Sequence, residues 1–117
     1  MTQPEQAVLI WPLLSLAAGM KRVLTYGEIE GFTGIARYGQ DQALYLIHAY
    51  CRRSDYPLLN SIAVSADTCL PGAGFPEKEW NPERHLVERA RVFAFNWNGI
   101  KRKPRAADFP MEQAATE

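Results

Sequence analysis

Two helix N-terminal signals limit the folds that are open to this chain. Thr2 and Glu5 stand three residues apart, which is the spacing of a capping box. In that motif a hydroxyl and a carboxylate satisfy backbone amides that the first turn of a helix leaves unpaired. The same spacing recurs at Thr25 and Glu28. We therefore expect one helix over residues 2–20 and a second that begins at Thr25.

Apolar residues in the first predicted helix follow the 3.6-residue period of an α-helix. Pro12 lies inside this segment, where it removes one hydrogen bond and crowds the preceding turn. We therefore expect a kink or a later helix start at Pro12. The period predicts a buried stripe made of Leu9, Leu13, Leu16 and Met20.

The second predicted helix turns Ile29 and Phe32 inward and stops at Gly34, because glycine readily ends a helix. A third helix is predicted over residues 40–53. Its buried face is expected to hold Leu44, Ile47 and Cys51. Its opposite face is expected to hold Asp41, Tyr45, His48 and Arg52.

Beyond the third helix the pattern changes. The segment "LLNSIAVSAD" (58–67) predicts a strand, and "TCLPGAGFP" (68–76) predicts a loop rich in glycine and proline. Asn81 followed by Pro82 is typical of a helix start. Leu86, Ala90, Phe93 and Trp97 continue at helical spacing, but Phe93, Phe95 and Trp97 also alternate as in a strand, so both structures stay open for that end.

Length and composition favour one domain over residues 1–100, followed by a polar tail at 101–117 that we expect to be loose in solution. Formal net charge is zero, so no global field draws the chain to nucleic acid or membrane. The apolar stretch 7–18 is too short to span a bilayer. Two cysteines make no disulfide framework, and we expect a reduced cytoplasmic protein.

The order of these elements points to a family. The segment "AVLIWPLLSLAAGMKRVLTYGEIEGFTG" resembles the DNA-binding domain of the O6-alkylguanine-DNA alkyltransferases and the alkyltransferase-like proteins. The segment "SIAVSADTCLPGAGF" is similar to the strand and wing of that family. The resemblance implies a mainly α fold with a small β wing, a winged helix-turn-helix. Its matching positions are Trp11, Leu13, Leu14, Val23, Thr25, Tyr26, Gly27, Ile29 and Gly34.

By this resemblance, Tyr26 presses on the phosphate of a target nucleotide while its base rotates out of the helix. The alternative is that Tyr26 only packs at a helix start. The family's arginine finger corresponds to Gln40 here, and Asp41 follows it. The reactive Pro-Cys-His-Arg motif corresponds to residues 59–62, Leu-Asn-Ser-Ile, so no thiolate is placed for alkyl transfer and we expect no enzyme activity.

Asn60 takes the place of the family's reactive cysteine. Its amide offers two donors and an acceptor, which suit the edge of a flipped base. Alternatively, Asn60 starts a strand by bonding to local backbone. In the first case the protein is a sensor of damaged or modified bases, and in the second Asn60 is structural.

Two functions follow from the sequence. The first is a non-catalytic winged-helix protein that binds DNA, as a regulator or as a sensor of damaged or modified bases. Its DNA contacts are expected at Tyr26, Arg37, Gln40, Tyr45, Arg52, Asn60, Lys101 and Arg102. The second is a protein–protein interaction module or small inhibitor on a scaffold that has lost DNA binding. Its contacts are expected at Tyr45, Phe93, Phe95 and Trp97.

Metal and cofactor sites are not expected. His48, Cys51, Cys69 and His85 could form a Cys2His2 zinc site only if three distant segments converged, and their spacing lacks the usual close second pair. The glycines of "LPGAGF" are not followed by the Gly-Lys-Ser/Thr of a phosphate-binding loop.

Overall fold

The computed structural model describes residues 1–100 and 102–109, which form a mainly helical fold with one small parallel sheet. Both predicted capping boxes are confirmed. Helix α1 spans Gln3–Gly19, and the backbone N–H of Thr2 donates to Glu5 at 2.8 Å. Helix α2 spans Tyr26–Thr33, and the N–H of Thr25 donates to Glu28 at 2.9 Å.

Pro12 does not delay the start of α1. The helix runs from Gln3 through Pro12 to Gly19, so the expected late start is wrong. Pro12 lies on the exposed side, and the Ser15 hydroxyl donates to the Pro12 carbonyl at 3.1 Å. Strong capping at Thr2 fixes the first turn, so the helix forms in spite of the one bond that proline removes.

The predicted buried stripe of α1 is wrong. Leu9, Leu16 and Met20 are 41%, 63% and 57% exposed. The buried face lies on the other side of the helix and consists of Ala7, Ile10, Trp11, Leu14, Ala17 and Ala18. The alanines let the neighbouring helix approach closely, and the Trp11 ring meets the rings of Tyr50 and Trp97 edge-on, at 5.5 and 5.7 Å between centroids.

Helix α3 spans Gln40–Ser54 and lies at the centre of the fold. A 3₁₀ turn over Arg37–Gly39 joins it to α2, which ends at Gly34 with a φ of 76°. Ile29 is buried as predicted, but Phe32 is 69% exposed. The buried side of α3 includes the predicted residues Leu44, Ile47 and Cys51.

His48 is also buried, which corrects its expected place on the solvated face of α3. The segment 65–81 crosses that face and covers the imidazole with Phe75, whose ring lies 5.4 Å from it, centroid to centroid. Residues four apart lie close together on a helix, so His48 is a neighbour of buried Leu44, and the expected division of α3 into opposite faces fails for this residue.

The sheet is smaller than the sequence predicts. Strand β1, Leu24–Thr25, pairs in parallel with strand β2, Ala63–Val64. Of the ten residues in the predicted strand over 58–67, four form a 3₁₀ helix over Leu59–Ile62 and only Ala63 and Val64 are in a strand. Just before this 3₁₀ helix, the backbone N–H of Leu58 donates a hydrogen bond to the Glu88 carboxylate at 2.7 Å. A side chain therefore takes the place that a neighbouring strand would take in a sheet.

Helix α4 spans Pro82–Ala94, and the Asn81 side chain caps it by accepting from the Arg84 N–H at 2.8 Å, as predicted. Phe93 lies within this helix, so the strand alternative for the aromatic end is not adopted there. The chain becomes extended at Phe95 and enters a 3₁₀ turn over Trp97–Gly99.

Residues 102–109 pack against the body of the protein, although the sequence assigns them to a loose tail. Phe109 is 1% exposed, and its ring centroid lies 5.4 Å from that of Tyr50. The guanidinium of Arg53 donates to the Asp108 carbonyl at 2.7 Å. One apolar side chain near the end of the segment therefore holds it in place. The rest of the predicted tail, Lys101 and 110–117, lies outside the described residues.

Truncation of one residue on each face of α1 tests this packing. Leu14→Ala should lower the free energy of unfolding by about 3 kcal/mol, because it opens a cavity in the core. Leu16→Ala should change it by less than about 0.5 kcal/mol. Urea unfolding of dilute protein measures both. Equal losses would mean that α1 buries a different face.

Candidate functional site

Tyr26 lies at the first position of α2 and is tied to the loop that follows β2. Its phenolic oxygen accepts the backbone N–H of Gly72 at 2.7 Å. Burial raises the pKa of Tyr26, with Asp41 adding to the effect and the Gly72 bond opposing it. The phenolic oxygen therefore already accepts one backbone hydrogen bond, which ties the Tyr26 ring to this loop.

Gln40 is fully buried rather than placed in a groove. Its amide nitrogen donates to the carbonyls of Tyr26 and Ile35, both at 3.0 Å. These two bonds fasten the start of α2 and the link after it to the first turn of α3. The amide oxygen of Gln40 has no hydrogen-bond partner among the described residues.

Asn60, His48, Glu77 and Arg52 form a chain of polar contacts. The amide nitrogen of Asn60 lies 3.2 Å from Nδ1 of His48, and Nε2 of His48 lies 3.0 Å from Oε2 of Glu77. Since the amide nitrogen can only donate, Nδ1 of His48 accepts this hydrogen bond. Nε2 of His48 then carries the ring proton and donates a hydrogen bond to the Glu77 carboxylate. The Arg52 guanidinium binds the same carboxylate oxygen from the solvent side.

The network shifts two pKa values downward. Burial lowers the pKa of His48 below its ordinary value, because the charged imidazolium would lose its hydration, and the hydrogen bond to Glu77 only partly offsets this. Burial acts to raise the pKa of Glu77, but hydrogen bonding and charge from Arg52, with help from His48, outweigh it and lower the pKa. At neutral pH the network therefore contains a neutral imidazole and an ionised carboxylate.

Tyr26 and Asn60 line the same cavity, at the place where the sequence puts a base-binding cleft. The space that it offers to the centre of a water molecule is only ≈ 10 Å³. That is about one water molecule and far less than a nucleobase. The cavity is also lined by Asp41, Leu44, Tyr45, Gly74, Phe75 and Pro76.

Gly74 closes this cavity against α3. A Cβ atom at Gly74 would lie 2.7 Å from the carboxylate of Asp41, which is closer than real side chains approach. A side chain at residue 74 would therefore force the Asp41 carboxylate to move. Asp41, which would repel phosphate, remains exposed beside this contact.

The basic residues proposed for DNA are mostly engaged in ion pairs. Arg37 faces Glu30 at 3.6 Å with both side chains largely exposed, so this pair is weak and solvated. Arg102 binds Asp108 at 2.9 Å, and Arg52 is held in the network with Glu77. Lys101 lies outside the described residues. Arg52 and Arg102 thus have carboxylate partners within hydrogen-bond distance, whereas the partner of Arg37 is more distant.

The aromatic residues proposed for a protein partner belong mostly to the core. Trp97 is 6% exposed, and its indole N–H donates to the Val92 carbonyl at 2.9 Å. Phe95 packs on Trp97 at 4.5 Å between centroids, and Tyr56 packs on Phe95 at 5.4 Å. Phe93, Phe95 and Tyr45 are half-buried, and Tyr45 lines the cavity beside Tyr26 and Asn60. Of the four, only Trp97 is buried.

Two of the candidate metal ligands, Cys51 and His48, have structural roles in the core of the protein. Burial raises the pKa of the Cys51 thiol to about 12, so the thiolate that zinc needs is strongly disfavoured. His48 binds Glu77 and Asn60. Within residues 1–100 and 102–109, no group of three or more His, Cys, Asp or Glu side chains could hold a metal ion.

An exposed apolar surface, which sequence analysis missed, runs along α1 and onto α2. We call it the α1–α2 face, and it consists of exposed Leu9, Leu16, Met20 and Phe32 together with half-buried Leu13. A groove of ≈ 270 Å³ lies within it, between the C-terminal half of α1 and α2. The signal was present in the sequence, because α1 is apolar around its whole circumference and only one side can face α3.

Comparisons with known proteins add no relative. No protein family, curated protein or solved structure matches this chain. None of the helices within the described part of the chain is both long enough and apolar enough to cross a membrane.

The pKa shifts predict how stability depends on pH. The folded protein resists protonation of His48, so below an ordinary value of 6.5 the unfolded state takes up a proton that the folded state refuses. Stability should therefore fall as pH drops through this range. Below 4.5 it should fall further, because the lowered pKa of Glu77 stabilises the fold only while the carboxylate is ionised.

Urea unfolding from pH 7 to pH 4 measures this dependence. His48→Gln should flatten the part of the curve below 6.5. It should not abolish the slope, because burial also lowers the pKa of His85. An unchanged slope in His48→Gln would contradict the assigned network.

Proposed function

We propose that this chain is a non-catalytic protein-interaction module and that the α1–α2 face is its binding surface. The observation that carries the proposal is the exposure of an apolar helix face. Leu16, Met20 and Phe32 are 63%, 57% and 69% exposed, and they adjoin one another around a single groove. Contiguous apolar patches of this kind mark interaction sites in folded proteins.

The composition of α1 supports this interpretation. A surface helix usually carries charged residues on its solvated side, whereas a helix that is apolar all round is buried all round. Between Glu5 and Lys21, α1 has no charged residue. Its solvent side thus has the composition of an interface, and α3 already occupies the other side.

The polar groups near Tyr26 also favour the α1–α2 face as the binding surface, because they already form hydrogen bonds within the protein. Gln40 is bonded to two backbone carbonyls, and the Tyr26 hydroxyl is bonded to Gly72. The neighbouring cavity holds about one water molecule. These groups stabilise the fold, and they offer little to a ligand that approaches from solvent.

A capture experiment from the native host tests the proposal. Leu16→Glu places a carboxylate in the middle of the α1–α2 face and should abolish specific capture of a partner. Val87→Glu is a matched control, because Val87 is 55% exposed on α4, away from that face. Val87→Glu should capture as the unaltered chain does. Identical capture by all three proteins would remove the α1–α2 face from the function.

DNA binding by a winged helix-turn-helix is the second candidate. It is favoured by the succession of α2 and α3 across a short link, with the Arg37 side chain 67% exposed on that link. Binding to duplex DNA should then weaken steeply as salt is raised, since phosphate contacts release counterions. Arg37→Glu should weaken it further.

Fluorescence titration at low salt with unmodified and O6-alkylguanine duplexes checks this candidate. The sensor version predicts tighter binding to the modified duplex and loss of that preference in Asn60→Ala. It also requires the loop over the cavity to move, because a base does not fit the space present. Absence of binding to both duplexes at low salt would end the DNA interpretation.

A further inference from the structure

We infer that the partner on the α1–α2 face is a second copy of this chain, with the two α1 helices packed antiparallel about a two-fold axis. The inference rests on the proposed function, because it names the occupant of the same surface. Three features of that surface support it: the spacing of its apolar residues, the charges at its ends and the position of its groove.

The apolar residues of α1 are spaced symmetrically. Leu9, Leu13, Leu16 and Met20 stand four, three and four residues apart, which is the spacing of a coiled-coil seam. This spacing is the same in both directions along the helix. A two-fold axis between Leu13 and Leu16 therefore places Leu13 opposite Leu16 of the second copy, and Leu9 opposite Met20.

Charge selects the antiparallel orientation. Exposed Glu5 lies at the N-terminal end of the stripe, and exposed Lys21 and Arg22 lie just beyond its C-terminal end. In an antiparallel pair the acidic end of each copy lies beside the basic end of the other, and the helix dipoles oppose each other favourably. A parallel pair would bring like charges together. Because the formal net charge is zero, two copies approach without overall repulsion.

The groove is a binding position for part of the second copy. It lies beside the C-terminal half of α1, where Leu13, Met20, Leu24 and Phe32 contribute to its walls. In the antiparallel arrangement, the N-terminal half of the partner helix crosses this region and brings its own Leu9 toward the groove. The same contact is repeated at the other end by symmetry, as an isologous interface requires.

The size of the face sets the strength of the pair. Helix α1 has 17 residues and is about 25 Å long, and α2 adds only the region around Phe32. Stable interfaces cover roughly 800 Å² and roughly 20–30 residues of each partner, whereas the α1–α2 face consists of five residues. We therefore expect a dimer that dissociates in the micromolar range rather than a permanent one.

Sedimentation equilibrium on the full chain tests the inference. From low micromolar to submillimolar concentration, the average mass should rise from that of one chain toward that of two. Leu16→Glu should remain monomeric throughout, and Met20→Glu should weaken the dimer at least tenfold as an independent check. Val87→Glu should behave as the unaltered chain. Thermal unfolding would confirm that each variant is folded.

Disulfide trapping tests the orientation. In a Cys69→Ser background, which removes the exposed thiol, Leu9→Cys and Met20→Cys chains are prepared separately. Mixed and oxidised, they should form the disulfide between unlike chains at least fivefold more than either forms with itself. Preferential Leu9→Cys self-pairing would indicate a parallel dimer and overturn the antiparallel arrangement.

The outcomes distinguish failure of the dimer inference from failure of the proposed interaction module. A chain that stays monomeric at all concentrations, or a dimer that Leu16→Glu leaves intact, overturns self-pairing. If capture of a host protein is then still lost in Leu16→Glu, the interaction module stands and only its partner was misassigned. If capture is also unaffected by Leu16→Glu, both fail.

Discussion

The burial of α3 determines most of the remaining structure. Helix α1, the 3₁₀ helix Leu59–Ile62 and the loop after β2 all pack around it, so Gln40 and His48 on α3 have little access to water. Buried polar groups cost free energy unless they are hydrogen-bonded. Gln40 therefore binds two backbone carbonyls, and His48 binds Asn60 and Glu77. The same bonds that satisfy α3 hold α2 and the covering loop in place.

Helix α1 poses the complementary problem, because it has more apolar surface than one neighbour can cover. The side with Trp11 and small alanines faces α3, since the ring fills the space beside Tyr50 and Trp97 while the alanines allow close approach. The side with longer leucines is left in solvent. This division is a consequence of packing, and it is the physical basis for the proposed interaction surface.

Local signals in the sequence predicted the helix starts well, because a capping box depends only on residues three apart. Thr2, Thr25 and Asn81 all cap as expected. Long-range contacts determine which helix face is buried and where strands form, and the periodicity of the sequence does not contain them. The buried face of α1 depends on Trp97, far along the chain, and the predicted strand at 58–67 gives way because Glu88 supplies a bond to Leu58. The cover over His48 likewise comes from a loop that carries no periodic signal.

In the candidate site, too, the sequence indicates some features, while others depend on long-range contacts. The resemblance implied roles in base flipping for both Tyr26 and Asn60, and the two residues line one cavity. What sequence could not give was its volume, which depends on how close Gly74 comes to Asp41. The loop that closes the cavity is fastened at Gly72 and again at Glu77. Access would require breaking both attachments together, whereas the α1–α2 face is open without any rearrangement.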